Sequence, residues 1–156
     1  EPLLRALRVD KLTLALLETN CNLFLDKKQL LEKNLFYKTI NQSQSDIENK
    51  AILLHKYLQE FNIDSDIVKS KAQYGGGALP ASSIESYSVK LDLKKRTNTE
   101  KSKTAEKIYR DLLKQDFPLL GVLKSGDIYF DVLSIQDSEL ISTASLIDAV
   151  YKQISH

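Results

Sequence analysis

The chain has 156 residues, 42% hydrophobic and 28% charged, with a formal net charge of +1. That is the composition of one ordinary folded domain, or one domain with attached helices, and it excludes a disordered or collagen-like chain. Near-neutral charge gives no general pull towards nucleic acid or a membrane surface, and no run approaches the ~18 apolar residues a membrane helix needs. No secretory signal is visible. The single cysteine, Cys21, excludes an internal disulfide and suits a reducing, cytoplasmic setting. It falls within a helical pattern, so a buried or half-buried structural thiol is expected. The chain contains no methionine and is expected to be a piece of a longer protein.

The first motif in chain order is Leu4-Arg5-Ala6-Leu7-Arg8-Val9-Asp10-Lys11-Leu12-Thr13. If it turns helically, Arg5 and Arg8 share one face. Two guanidinium forks side by side suit a phosphate-like dianion, because each offers paired planar donors. Spacing alone favours two solvated arginines over an anion seat. Residues 10 to 34 then read as helical. Asp10 is a fitting N-cap, Leu12, Leu16, Leu17 and Leu23 share a broad apolar stripe, and Asp26 with Gln29 marks a second start running to Lys33. No compact core can be drawn from 1–34 alone, so this part is expected to pack on something else.

The second part, 35–156, reads as self-contained. Ser45 and Glu48 suggest a capping box, and the helix behind it carries Ile47, Ala51, Leu54, Leu58 and Phe61 at helical spacing. His55 lies between those apolar positions and is expected to be exposed or partly packed. A short strand, Asp66 to Ser70, precedes Gly75-Gly76-Gly77. The following strand alternates strictly, with Tyr87, Val89, Leu91 and Leu93 on one face and Ser86, Ser88, Lys90 and Asp92 on the other. Lys94 to Lys103 reads as a polar linker with Asn98 or Thr99 as cap to a helix through Ala105, Ile108, Tyr109, Leu112 and Leu113. A hairpin about Lys124-Ser125-Gly126 joins Leu119–Leu123 to Asp127–Leu133. A last helix spans Ser138 to Ile154. Helix, strand, strand, helix, strand, strand, helix predicts an α+β fold, with a mostly antiparallel sheet covered by helices on one face.

Gly75, Gly76 and Gly77 serve either as a strand-entry turn needing positive φ or as a loop at an active-site mouth whose free N–H groups form an anion nest. Lys94, Lys95, Arg96, Lys101 and Lys103 can meet nucleic-acid phosphate, although the stretch lacks aromatics for base stacking and suits a solvated loop as well. No zinc-type spacing, Ser-His-Asp pattern or phosphate-loop motif appears.

The arginine motif resembles the segment after the cofactor lysine in bacterial L-seryl-tRNA(Sec) selenium transferases, the selenocysteine synthases. Gln73-Tyr74-Gly75-Gly76-Gly77-Ala78-Leu79-Pro80 is similar to that family's glycine-rich loop. Phe117-Pro118-Leu119-Leu120-Gly121-Val122, followed by Gly126-Asp127-Ile128-Tyr129-Phe130-Asp131, is similar to its C-terminal hairpin. The three landmarks occur in the family's order across most of the chain.

The resemblance implies the C-terminal portion of a pyridoxal-phosphate enzyme of fold type I, with the small domain of that fold. It implies conversion of Ser-tRNA(Sec) to Sec-tRNA(Sec) with selenophosphate as donor, in a cytoplasmic homo-oligomer. It also implies that Arg5 and Arg8 help hold the donor's anionic group. The Schiff-base lysine would precede Glu1, so no catalytic residue is expected in this chain, and the chain alone is expected to be inactive. The alternative from a different class is a non-catalytic α+β module, regulatory or RNA-binding.

Overall fold

In a computed structural model, residues 8–73, 83–93 and 97–155 are described. The chain divides into two compact units, Glu1–Gln42 and Ser43–His156. The helix that follows Asn34, on the second-part side of the division read from sequence, falls in the first unit.

Among the described residues the first unit holds three helices: α1 (Lys11–Leu23), α2 (Lys27–Lys33) and α3 (Leu35–Ile40). Each starts on a side chain that accepts a free backbone N–H. Asp10 accepts from Thr13 N at 2.8 Å, Asp26 from Lys28 N at 2.9 Å, and Asn34 from Tyr37 N at 3.2 Å. Edge-on ring pairs, Phe24 with Tyr37 at 5.4 Å and Phe36 with Tyr37 at 5.6 Å, gather these residues around one tyrosine. Leu30 is buried, but α1 buries none of its residues, and Leu12 and Leu25 are 71% and 86% exposed. The leucine stripe thus builds no core of its own. Cys21 is exposed, which corrects the expected buried thiol: a helical apolar pattern buries a residue only where a second surface meets it.

The second unit runs α4 (Gln44–Glu60), β1 (Ser65–Gln73), β2 (Ser83–Leu91), α5 (Asn98–Leu112), β3 (Val122–Lys124), β4 (Asp127–Asp131), a 3₁₀ turn (Asp137–Glu139) and α6 (Leu140–Ser155). The strands form one open antiparallel sheet in the order β1-β2-β4-β3. Ile47, Ala51, Leu54 and Leu58 of α4 are fully buried. So are Ala105, Ile108 and Leu112 of α5, and Ala144, Ile147 and Val150 of α6. They form one cluster with Val89, Leu91, Ile128 and Phe130 from a single face of the sheet. The expected α+β architecture, helices over one face of an antiparallel sheet, is therefore present.

Local chemistry fixes the ends. The α4 cap is Ser43, which accepts from Asp46 N at 3.1 Å, two residues earlier than the expected Ser45. At its other end Asn62 takes a left-handed φ of 60°, Asn62 N donates to Gln59 O, and Ile63 N donates to Leu58 O. That is a Schellman closure with asparagine in the glycine position and buried Ile63 as its apolar contact. The α5 cap is Thr97 in a capping box with Glu100. Residues 98–103 are therefore helix, not the expected linker. Ser125 and Gly126, with φ of 53° and 82°, make the two-residue turn between paired Lys124 and Asp127. Gly121 is needed for space: a Cβ there would lie 3.1 Å from both Ile128 Cγ1 and Phe130 Cε1.

Candidate functional site

Arg8 is exposed and lies outside any helix, because Asp10 is extended (φ −71°, ψ 165°) and α1 begins only at Lys11. The helical spacing that would align two arginines thus does not reach Arg8. Arg5, Gly75, Gly76 and Gly77, together with Lys94, Lys95 and Arg96, lie outside the described residues. Asp10, just after Arg8, has its pKa held below the ordinary carboxylate value, first by the Thr13 backbone N–H and then by the Thr13 hydroxyl.

The other basic candidates are partly engaged. Lys101 reaches Asp127 Oδ1 at 2.6 Å, tying α5 to the start of β4, while Lys103 is exposed. His55 is half-buried, with Nδ1 2.8 Å from Ser65 Oγ, a packed histidine as expected. Lys50, buried, donates from Nζ to Ile135 O at 2.6 Å. Among the described residues, no group of three or more His, Cys, Asp or Glu is placed to hold a metal ion. No described helix is long and apolar enough to cross a membrane.

The sheet brings together a polar cluster that no local motif announces. Strand alternation and register put Val68 and Ser70 of β1, Ser86, Ser88 and Lys90 of β2, Tyr129 and Asp131 of β4, and Val122 and Lys124 of β3 on the face opposite the helices. Asp131 is the centre. Its Oδ2 accepts from Ser70 Oγ at 2.6 Å and Ser88 Oγ at 3.2 Å; its Oδ1 accepts from Ser86 Oγ at 2.8 Å and Leu133 N at 3.0 Å. Beside it runs a groove of about 670 Å³ whose lining includes Val68, Ser70, Ser88, Lys124, Tyr129 and Asp131. Along the same face Lys90 pairs with Asp66 at 3.1 Å. That bond holds the ammonium pKa above its ordinary value against partial burial, with Asp127 and Tyr129 adding to the effect.

Four donors occupy the Asp131 carboxylate, one for each of its lone-pair sites. The serines point their protons at a carboxylate with no histidine between, so none is activated as a nucleophile. Ser86, Ser88 and Lys90 were readable as a polar face from the alternation in β2. Ser70, Asp131 and Tyr129 were not, because their partners lie in other strands.

The family model for L-seryl-tRNA selenium transferase matches residues 1–136 of the chain. The chain belongs to the L-seryl-tRNA selenium transferase family. Among curated relatives named L-seryl-tRNA(Sec) selenium transferase, the protein of Campylobacter jejuni (strain RM1221) is 36% identical over 140 residues, covering 88% of this chain and 30% of the relative. That of Clostridium perfringens is 30% identical over 146 residues, covering 91% and 30%. That of Alkaliphilus oremlandii is 28% identical over 140 residues, covering 88% and 28%. The chain thus spans under a third of the length of these selenium transferases. The resemblance read from the arginine motif, the glycine loop and the hairpin is borne out at the level of the family.

Proposed function

We propose that this chain is the C-terminal portion of a selenium transferase that converts Ser-tRNA(Sec) to Sec-tRNA(Sec) with selenophosphate. The observation that carries the reading is the family match running from the arginine motif through the β3–β4 hairpin to residue 136. Arg5 and Arg8 are the candidates for holding the donor's anionic group, since paired guanidinium forks match a tetrahedral dianion.

Pyridoxal phosphate is the cofactor that the family resemblance implies. It needs a lysine amine for its aldehyde, a partner for its ring nitrogen and donors for its phosphate. The described residues do not fit it. Buried Lys50 is committed to the Ile135 carbonyl, and Asp131 has its acceptor positions filled by three hydroxyls and an amide. In this proposal the cofactor belongs to the rest of the longer protein, as does the homo-oligomeric assembly. The Gly75–Gly77 loop is assigned to the mouth of the active site.

The test is selenium transfer from selenophosphate to Ser-tRNA(Sec) by the full-length protein, set beside the 156-residue chain alone. Transfer by the full-length protein and none by the chain is expected, with no pyridoxal absorbance from the chain. Absence of transfer by a folded, cofactor-loaded full-length protein overturns the reading.

A further inference from the structure

We propose that Asp10 is a positioning residue for the donor-anion site: by capping α1 it fixes the backbone from which Arg8 reaches the anion, and it keeps its own charge off that guanidinium. The inference rests on the proposed function for the role of Arg8, and its own observations are those of the cap.

Both carboxylate oxygens hold the cap. Asp10 Oδ1 accepts from Thr13 N at 2.8 Å, and Oδ2 accepts from the Thr13 hydroxyl at 3.2 Å. This geometry needs extended backbone at Asp10, which it has (φ −71°, ψ 165°), while Asp10 O accepts the first helical bond from Leu14 N at 3.1 Å. The helix therefore starts at Lys11 and not upstream. Arg8 is a good helix former and Val9 a tolerable one, so without the cap the first turn is free to grow back through them. Two residues span at most about 7 Å. The base of Arg8 thus lies close to the capped turn and moves with it.

Charge supports the same role. Asp10 is the carboxylate nearest to Arg8 in sequence. Released from the helix, it would compete with an incoming anion for the guanidinium. The Thr13 backbone N–H and then the Thr13 hydroxyl favour its charged form where it stands. Arg8 is exposed, and among the described residues no carboxylate lies at salt-bridge distance from it. The Asp10 carboxylate also fills the positive end of α1, which leaves the donor to the arginine and not to the helix terminus.

Asp26 provides the control that separates positioning from simple stabilisation. It caps α2 in a similar way, accepting from Lys28 N at 2.9 Å and Gln29 N at 3.3 Å, but no candidate donor-site residue adjoins it.

The experiment compares Arg8→Ala, Asp10→Ala, Asp10→Asn, Asp10→Glu and Asp26→Ala in the full-length, cofactor-loaded protein, measuring selenium transfer to Ser-tRNA(Sec) over a range of selenophosphate concentrations. Asp10→Ala should raise the KM for selenophosphate about fivefold, the factor of one lost cap, and change kcat less than about twofold. Asp10→Asn, an equally good cap without the charge, should stay within about twofold of wild type. Asp10→Glu keeps the charge on a side chain too long for the cap, and should raise that KM more than Asp10→Ala does. Asp26→Ala should leave it unchanged. In the 156-residue chain the Thr13 amide resonance should hold its position in Asp10→Asn and move in Asp10→Ala.

A wild-type KM in Asp10→Ala beside a raised KM in Arg8→Ala overturns the inference. So does an Asp10→Asn or Asp26→Ala variant as impaired as Asp10→Ala, or an Asp10→Glu variant no worse than it. An unchanged KM in Arg8→Ala removes Arg8 from the donor site and the inference with it, while the transferase reading stands as long as the full-length protein transfers selenium. Both fall if it transfers none.

Discussion

The Ser70 hydroxyl meets the Asp131 carboxylate at 2.6 Å although β2 runs between their strands. Ser88, on that middle strand, pairs directly with Asp131 and donates to the same oxygen. One carboxylate therefore ties β1, β2 and β4 together by side chains, in addition to the backbone ladders.

Removing it should be felt across the sheet. Asp131→Ala strips the acceptor from three hydroxyls and one amide, and should destabilise the chain by about 2–3 kcal/mol. Ser70→Ala, which deletes one donor, should cost about 1 kcal/mol. A double-mutant cycle in urea should show coupling between the two sites of at least about 0.5 kcal/mol. Simple additivity would mean the cluster does not act as a unit.

The β3–β4 turn gives a second, opposite effect. Ser125 has a φ of 53°, a conformation that costs an L-residue and suits glycine or asparagine. Ser125→Asn should raise the melting midpoint slightly, while Gly126→Ala, at φ 82°, should lose about 1 kcal/mol. Thermal unfolding of the two variants checks the sign of each.

Gly121→Ala probes space instead of backbone freedom. The added methyl meets Ile128 and Phe130 side chains at 3.1 Å inside the core. A loss of about 1–3 kcal/mol is expected, and Ile128→Val in the same chain should recover part of it by making room.

Asp10 sets a pH dependence with a definite sign. Its folded pKa is depressed below 3.8 by the Thr13 N–H and hydroxyl. Its contribution to α1 is therefore complete above the unfolded value and is lost as pH falls through the lower folded one. The carboxyl carbon of Asp10, followed by NMR, should titrate below 3.8, and Thr13→Ala should move that midpoint upward by removing the hydroxyl donor. A midpoint at or above 3.8 would show that the cap does not hold.

In the full-length protein, Arg5→Ala and Arg8→Ala should each raise the KM for selenophosphate and leave the cofactor's absorbance in place. Unchanged selenium transfer by the double variant would remove both from the donor site.

Much of the second unit was legible because its signals are local. The Ile47, Ala51, Leu54, Leu58 spacing and the alternation through Tyr87, Val89 and Leu91 each announce an element and its buried face. The six-residue α3 was missed, since it rests on Asn34 and on one ring, Phe24, that meets Tyr37 from outside the helix. The α4 start was misplaced because Ser43 and Ser45 both offer a hydroxyl followed three residues later by a carboxylate, Asp46 or Glu48. The sheet-face cluster was out of reach. Ser70 and Asp131 are 61 residues apart in sequence, and only strand order makes them neighbours. Arg5 and the triple glycine lie outside the described residues.

Cys21, the sole thiol among 156 residues, stands exposed on α1. The chain thus carries its own attachment point for a single spin label, with no competing sulfhydryl to block first. A second cysteine on the outer side of α5, at Lys107, would turn that handle into a molecular ruler. Pulsed dipolar spectroscopy between the two labels would then report the spacing of the helical unit and the sheet unit as a distribution.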